Sequence, residues 1–277
     1  MKKFQASYSA SAKDDPIRLT PLSVHAPSDT QNEKIIVFVH GLNGERYATW
    51  GKLPEPLFAK FQDWDFGFYE YANGFKRLNP FKSLSLEQEA QVLVDTLRDS
   101  EYREIILMGH SLGGVLIRIA ITKMIEMNLV DLLSRIKVVF LFAVPQLGAH
   151  SLPMLVSFLN SDAAALSRNS LMIRRTTRVF LDHLNTDEVK ADSSDSTWIP
   201  VYCIQAAEDF WVEELSATLN IKSHMRKVVR DSHTGVVKGV TDEVGDWITL
   251  KMGFLFPEHA KPKVKNERMI RHGPTTI

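Results

Sequence analysis

The chain has 277 residues, 44% of them hydrophobic, and its 33 basic residues balance its 33 acidic residues. This length and hydrophobic content suit one large domain with a substantial core. The formal net charge of zero gives no electrostatic reason to expect an acidic polymer as a partner, and we predict no nucleic-acid binding.

The first residues carry Lys2 and Lys3 but no apolar stretch behind them, so no secretory signal is predicted. No apolar run approaches the roughly 18 residues that a membrane-spanning helix needs. The single cysteine, Cys203, lies in an apolar run and fits a reducing compartment. We therefore expect a soluble, cytoplasmic protein.

Short apolar stretches alternate with amphipathic segments, which is typical of βαβ units around a parallel sheet. An antiparallel edge strand is predicted first, at Arg18–Val24, because Pro21 removes a backbone donor. Strands covered on both faces follow at Ile35–Val39, Phe66–Tyr71, Glu104–Met108, Lys137–Ala143 and Pro200–Ile204. A more polar strand, Met225–Arg230, is expected at the other edge.

Helices are predicted between these strands. Ser85 and Gln88 form a capping-box pattern ahead of one amphipathic helix, and Thr241 is the N-cap of the last helix. The long connection at about 146–198 is apolar at helical spacing and then polar, so we interpret it as a lid-like insertion. We predict a single α/β domain over residues 1–256 and a loosely ordered basic tail over 257–277.

The segment 109–114 reads Gly-His-Ser-Leu-Gly-Gly and contains the G-x-S-x-G pattern. An apolar strand precedes it and an amphipathic helix follows it, which is the context of a nucleophile elbow in the α/β-hydrolase fold. The sharp turn strains the serine backbone and lifts its hydroxyl clear of the sheet. We therefore predict Ser111 as the nucleophile.

The strand at Ile35–Val39 runs into His40-Gly41-Leu42-Asn43-Gly44, the place where this fold puts a second oxyanion donor. The predicted donors are the backbone N–H groups of Leu42 and Leu112. We interpret His40 as a residue that holds the loop by hydrogen bonds, and Asn43 as a turn residue.

A serine nucleophile needs a histidine base, and that histidine needs an orienting acid. Of the nine histidines, His233 alone follows the last predicted strand in a small polar loop that leads to a helix. Two carboxylates, Glu208 and Asp209, follow the strand before it. Asp209 fits the usual spacing better, since it lies three residues after the small residue Ala206 and three before Val212. Glu208 stays open as the alternative acid.

Four segments together resemble the serine active site containing protein family and related serine esterases. These segments are 39–42 with 49–50, 109–114, 144–148 and 233–238. The resemblance implies the α/β-hydrolase fold, a mostly parallel central sheet with helices on both faces, and hydrolysis of carboxylic or lipid acyl esters through an acyl-enzyme. Two positions depart from it, because Gln146 stands where relatives often have His and Ala206 where Gly is common.

The sequence thus predicts a serine hydrolase that acts on a small-molecule or lipid ester, and its motifs imply no metal and no organic cofactor. An acyl-protein thioesterase or an acyltransferase would use the same residues. A catalytically inactive binding module of this fold is a further alternative, although Ser111 and His233 are both present. Apolar residues between Leu147 and Leu159 would suit peripheral membrane contact through the lid. The acyl length, the head group and the oligomeric state stay open.

Overall fold

The structure is a computed structural model that describes residues 21–27, 32–71, 84–147, 170–184, 199–209, 212, 221–238 and 241–257. Its strands are β1 (Leu22–His25), β2 (Lys34–Val39), β3 (Asp65–Tyr69), β4 (Glu104–His110), β5 (Ile136–Phe142), β6 (Val201–Ala206) and β7 (Arg226–Val229). Its helices are α1 (Pro54–Lys60), α2 (Leu86–Asp99), α3 (Leu112–Glu126), α4 (Val130–Arg135), α5 (Leu171–His183) and α6 (Thr241–Leu255). Short 3₁₀ turns at Ser223–Met225 and Gly235–Val237 flank β7.

These strands form one sheet in the order β1-β3-β2-β4-β5-β6-β7. Strands β2 to β7 pair in parallel, and β1 pairs with β3 in antiparallel orientation. Pro21 lies at this edge, where its carbonyl accepts a hydrogen bond from the Glu70 N–H at 2.7 Å. The predicted fold class, including the antiparallel first strand and the edge position of the last strand, is confirmed.

The strand order reverses between β2 and β4. From β2 the chain adds β3 on one side, and it then returns to place β4 on the other side of β2. In open α/β sheets, ligands bind at the carboxyl ends of the strands beside such a reversal. The segments after β2 and β4, which begin at His40 and Ser111, meet at this point.

Helices cover both faces of the sheet. Phe140 of β5 contacts Trp247 of α6, with ring centroids 6.4 Å apart. On β4, Met108 is the register partner of Phe140 and faces the same side of the sheet. The next residue, Gly109, therefore faces the opposite side. There a Cβ on Gly109 would lie 2.8 Å from Ile117 of α3. Helices α3 and α6 therefore pack on opposite faces, and the strands between them are buried, as their continuous apolar sequences predict.

Helix α5 was not predicted from the sequence. It lies inside the segment interpreted as a lid, where Ser170 accepts a hydrogen bond from the Ile173 N–H at 3.1 Å and caps it. Ile173 and Phe180 are buried and Leu171 is exposed, so the helix has one packed face. Residues 148–169, 185–198 and 258–277 lie outside the described residues, so the lid, the tail and the domain limits stay predictions. In the ranges that the structure describes, none of the helices has the length and apolar character to cross a membrane.

Arg135, the last residue of α4, holds the end of α2. Its guanidinium donates to the carbonyls of Leu97 at 3.0 Å and Ser100 at 2.7 Å, and to the Ser100 hydroxyl at 2.9 Å. It also donates to the carbonyls of Arg98 at 3.3 Å and Tyr102 at 2.5 Å. The last carbonyls of a helix have no intrahelical donor and carry partial negative charge, so a cation there stabilises the helix end.

We expect Arg135→Ala to lower the free energy of unfolding by about 2 kcal/mol, because it removes several hydrogen bonds from a cation to carbonyl oxygens. The measurement is urea unfolding. Arg103→Ala is the matched control, since the Arg103 side chain is 77% exposed and pairs with Glu33 at 3.5 Å. An exposed ion pair of this kind contributes little to the free energy of unfolding. Equal losses in the two variants would contradict the capping role.

Candidate active site

Ser111 lies at the junction of β4 and α3, and its backbone has φ 50° and ψ −121°. A positive φ is uncommon for residues other than glycine and costs about 1–3 kcal/mol. The Ser111 N–H donates to the carbonyl of Phe142 at 2.9 Å, which ties the turn to the end of β5. Ser111 is 4% exposed. The strand, turn and helix predicted around this serine are all present.

Two glycines allow the close backbone approach that this turn requires. A Cβ on Gly113 would lie 2.1 Å from the carbonyl oxygen of Val39, and a Cβ on Gly109 would lie 2.6 Å from the Cα of Gly114. No side chain fits at such distances. The N-terminus of α3 therefore packs directly on the end of β2 and on the turn after β4.

The loop after β2 touches the serine. A Cβ on Gly41 would lie 2.9 Å from the Cβ of Ser111, so the backbone of this loop passes beside the serine side chain. The Gly44 N–H donates to the Gly41 carbonyl at 3.0 Å and closes a tight turn, in which Asn43 has φ 52°. Asn43 is a turn residue, as predicted. Leu42 lies in this turn and follows Gly41, the residue that contacts Ser111. Leu112 follows Ser111 directly in the chain and is the first residue of α3.

His40 supports the same loop. Its Nδ1 lies 3.0 Å from the Gly41 carbonyl, and its Nε2 lies 3.4 Å from a carboxylate oxygen of Glu70. Its ring stacks on Tyr71 with a centroid distance of 4.6 Å, and the Tyr71 hydroxyl donates to the His40 carbonyl at 2.9 Å. These contacts agree with the interpretation of His40 as a residue that holds the loop.

Ser111, His233 and Asp209 lie together in a hydrogen-bonded chain. The His233 Nε2 is 2.8 Å from the Ser111 Oγ, and its Nδ1 is 2.8 Å from the Asp209 Oδ2. The side chains of His233 and Asp209 are 14% and 2% exposed. Because the Asp209 carboxylate accepts the proton on Nδ1, Nε2 carries the lone pair that faces the serine hydroxyl.

The loops after β6 and β7 are tied to each other and set this geometry. The Ala207 N–H donates to the Val229 carbonyl at 2.8 Å, and the Glu208 N–H donates to the Asp231 carbonyl at 3.0 Å. The other carboxylate oxygen of Asp209, Oδ1, accepts from the Val212 N–H at 3.0 Å. Of the two carboxylates weighed from the sequence, Asp209 contacts the histidine, whereas Glu208 is exposed.

His110 is a residue of the site that the sequence reasoning missed, since it was set aside for lying before Ser111. It is 4% exposed, and its Nε2 lies 2.8 Å from the backbone carbonyl of His233. Burial, with the nearby His233 as a second cause, lowers the pKa of His110 to about 3. No sequence signal identifies this contact, because its acceptor is a backbone carbonyl.

The two departures from the family pattern lie at buried positions. Gln146 is 1% exposed, and its side-chain amide donates to the Cys203 sulfur at 3.3 Å. The backbone carbonyl of Gln146 accepts a hydrogen bond from the buried Arg118 guanidinium of α3 at 2.6 Å. Ala206 ends β6 and is buried. Gln146 thus fills a buried position, and Cys203 is a buried thiol, whose pKa burial raises to about 12.

In the described residues, no group of three or more His, Cys, Asp or Glu side chains is arranged to hold a metal ion. The predicted absence of a cofactor stays a prediction.

His110 is expected to make stability pH-dependent. Its folded-state pKa is about 3, and its ordinary value is about 6.5, so below about pH 6.5 the unfolded chain binds a proton that the folded chain does not. The free energy of unfolding therefore falls as the pH falls towards 3, and between about pH 7.5 and about pH 5 this one group accounts for ~2 kcal/mol.

The variant His110→Gln keeps an N–H donor but cannot titrate. Urea unfolding of this variant should show a loss between the two pH values that is ~2 kcal/mol smaller than in the wild type. His224→Gln, at an exposed position, is the matched control and should follow the wild type. Parallel losses in all three proteins would contradict a buried neutral His110.

Comparisons with known proteins identify the family and the fold of the chain. The family model described as "Putative serine esterase (DUF676)" matches residues 29–196, which is more than half of the chain. No curated protein matches the sequence. Among solved structures, the mature form of the Bacillus licheniformis lipase BlEst2 is similar over 84% of this chain and 97% of its own, at 16% identity and a TM-score of 0.52.

A second solved structure, the N-acyl homoserine lactonase AidH with N-butanoyl homoserine, is similar over 84% of this chain and 93% of its own, at 14% identity and a TM-score of 0.52. At such identities a structural likeness shows the fold alone. The family match adds the class of activity, and the resemblance inferred from the motifs is confirmed. The chain belongs to this serine esterase family and is an ester hydrolase with the α/β-hydrolase fold.

Proposed function

We propose that this protein hydrolyses carboxylic esters through an acyl-enzyme formed on Ser111, with His233 as general base and Asp209 as the acid that orients it. The observation that carries the proposal is the chain of two 2.8 Å contacts from the Ser111 hydroxyl through His233 to Asp209. An unassisted serine hydroxyl is a poor nucleophile, so a base at hydrogen-bond distance is the feature that such a site needs.

In the first half-reaction, the Ser111 Oγ bonds to the carbonyl carbon of the ester while His233 Nε2 takes the hydroxyl proton. The electron pair of the carbonyl double bond moves to its oxygen. When that pair returns, the bond from carbon to the alcohol oxygen breaks, and His233 gives its proton to the departing alcohol. Asp209 stays ionised and stabilises the imidazolium through its contact with Nδ1.

In the second half-reaction, a water oxygen bonds to the acyl carbon and His233 takes one of its protons. The bond from carbon to Ser111 Oγ then breaks, the serine oxygen takes the proton back, and the carboxylic acid leaves. Each half-reaction passes through an oxyanion. We assign its stabilisation to the backbone N–H groups of Leu42 and Leu112.

The positions of these two residues support the oxyanion assignment. Leu112 is the first residue of α3, and the first N–H groups of a helix have no intrahelical acceptor and carry partial positive charge. Leu42 follows Gly41, whose backbone lies against the Ser111 side chain. Backbone donors fixed beside a nucleophile need no rearrangement when negative charge develops on the substrate.

The first test is Ser111→Ala. We expect the wild-type protein to be labelled by a fluorophosphonate and to hydrolyse p-nitrophenyl esters. In this labelling the serine oxygen bonds to phosphorus, fluoride leaves and the hydroxyl proton passes to the base. The variant should show no labelling and a kcat lower by about 10⁴-fold or more, because the acyl-enzyme cannot form.

Ser134→Ala is the matched control for this test, because Ser134 lies on α4 and its hydroxyl donates to the Asp131 carbonyl at 2.7 Å. It should keep the wild-type rate and labelling. If the wild-type protein is not labelled, or if Ser111→Ala is labelled as strongly, the proposed nucleophile is wrong. A series of p-nitrophenyl esters of increasing chain length then reports the preferred acyl length.

The second test separates the two carboxylates. Asp209→Asn should lower kcat by about 10³-fold, because an amide donor in place of the carboxylate favours the wrong histidine tautomer. Glu208→Gln should leave kcat near the wild-type value, since that side chain is exposed. Steady-state hydrolysis by both variants decides the assignment. A larger loss in Glu208→Gln would assign the role of the acid to Glu208.

A further inference from the structure

The proposed base and nucleophile come from strands that are not neighbours. Ser111 follows β4 and His233 follows β7, and both β5 and β6 lie between these strands. With neighbouring strands about 4.8 Å apart, the loop after β7 reaches back across roughly 14 Å of sheet. The position of the histidine loop relative to Ser111 therefore depends on contacts that cross this distance.

Several hydrogen bonds shape the histidine loop from within. The Ser232 N–H donates to the Asp231 carboxylate at 2.7 Å, and the Gly235 N–H donates to the Ser232 hydroxyl at 3.1 Å. The Asp231 carbonyl accepts from the Glu208 N–H, which ties the loop to the end of β6. These contacts define the loop and its link to β6, but none of them joins it to the nucleophile elbow.

His110 makes such a link. Its Nε2 lies 2.8 Å from the His233 carbonyl, and because a carbonyl oxygen accepts and cannot donate, Nε2 carries the proton. The two imidazole rings lie 5.1 Å apart between centroids, at 49°. His110 precedes Ser111 directly in the chain, so the donor is fixed in the same backbone turn as the nucleophile.

We propose that His110 is a positioning residue, which holds the backbone of His233 at the nucleophile elbow and thereby aims the His233 ring at Ser111. This inference rests on the proposed roles of Ser111 and His233. The His233 ring contacts Asp209 through Nδ1 and Ser111 through Nε2. The hydrogen bond from His110 fixes the His233 backbone in addition.

The ionisation state of His110 suits this role. His233 gains a proton in each half-reaction, and a second imidazolium 5.1 Å away would oppose that step. Among the residues that the structure describes, the titratable groups that act on His110 are His233, Asp209 and His40. Burial outweighs the raising effects of the hydrogen bond to the His233 carbonyl and of Asp209, and keeps the pKa of His110 at about 3. His110 is thus a neutral donor throughout the reaction.

The experiment compares His110→Phe, which keeps a ring but removes the donor, with His110→Gln, whose amide N–H reaches a similar distance. We expect His110→Phe to lower both kcat and the rate of fluorophosphonate labelling by about 10- to 100-fold with little change in KM, because a small displacement of a catalytic group carries a cost of this size. His110→Gln should recover most of the lost rate. A structural role alone would not produce this recovery with unchanged KM.

The thermal unfolding midpoint of each variant shows whether the protein is folded. If folded His110→Phe keeps the wild-type kcat, or if His110→Gln is as slow as His110→Phe, the positioning role is wrong. A lack of Ser111-dependent labelling in the wild type is a different result, because it overturns the proposed hydrolase before any variant is compared.

Nitrogen-15 NMR of the histidine rings tests the contact without turnover. In the wild-type protein, the His110 ring should be neutral with its proton on Nε2, and this proton should be protected from exchange. In His110→Phe, this signal should be absent and the His233 ring signals should broaden or shift. A His110 ring protonated on Nδ1 instead would overturn the inference, whether or not the protein is active.

Discussion

The backbone conformation of Ser111 is the constraint on which the other parts of the site depend. Its positive φ is held by close packing on both sides of the turn, where Gly113 lies against the Val39 carbonyl and Gly109 lies against Gly114. Because these glycines carry no Cβ, the backbones can come this close, and the close contacts fix the position of α3 relative to both β2 and β4. The loop after β2 consequently passes beside the serine, and one packing arrangement positions both this loop and Ser111.

The sheet topology explains why polar side chains can gather there in a buried setting. The strand order reverses between β2 and β4, and in open α/β sheets the loops on either side of such a reversal separate at the carboxyl ends of the strands. Loops after β6 and β7 then enter from one side and place Asp209 and His233 against Ser111. Asp209 is almost fully buried, so its interaction with the histidine is weakly screened by solvent.

The sequence predicts those parts of the molecule that rest on local patterns. Continuous apolar runs identified the strands, and the elbow was recognisable because motif, strand and helix are adjacent in the chain. Helix α5 was missed because its apolar positions, such as Ile173 and Phe180, are interrupted by arginines and threonines within a segment interpreted as a lid. The contacts of Arg135 and His110 were missed for another reason, since both residues donate to backbone carbonyls, which leave no mark in the sequence.

His110 joins two parts of the site that follow different strands of the sheet. The ring is buried, and its Nδ1 has no hydrogen-bond partner among the residues that the structure describes. An apolar side chain of similar shape would remove this nitrogen, but it would also remove the donor to the His233 carbonyl, a loss of about 0.5–1.5 kcal/mol. The hydrogen bond to His233 couples the residue before Ser111 to the backbone of His233 across two intervening strands.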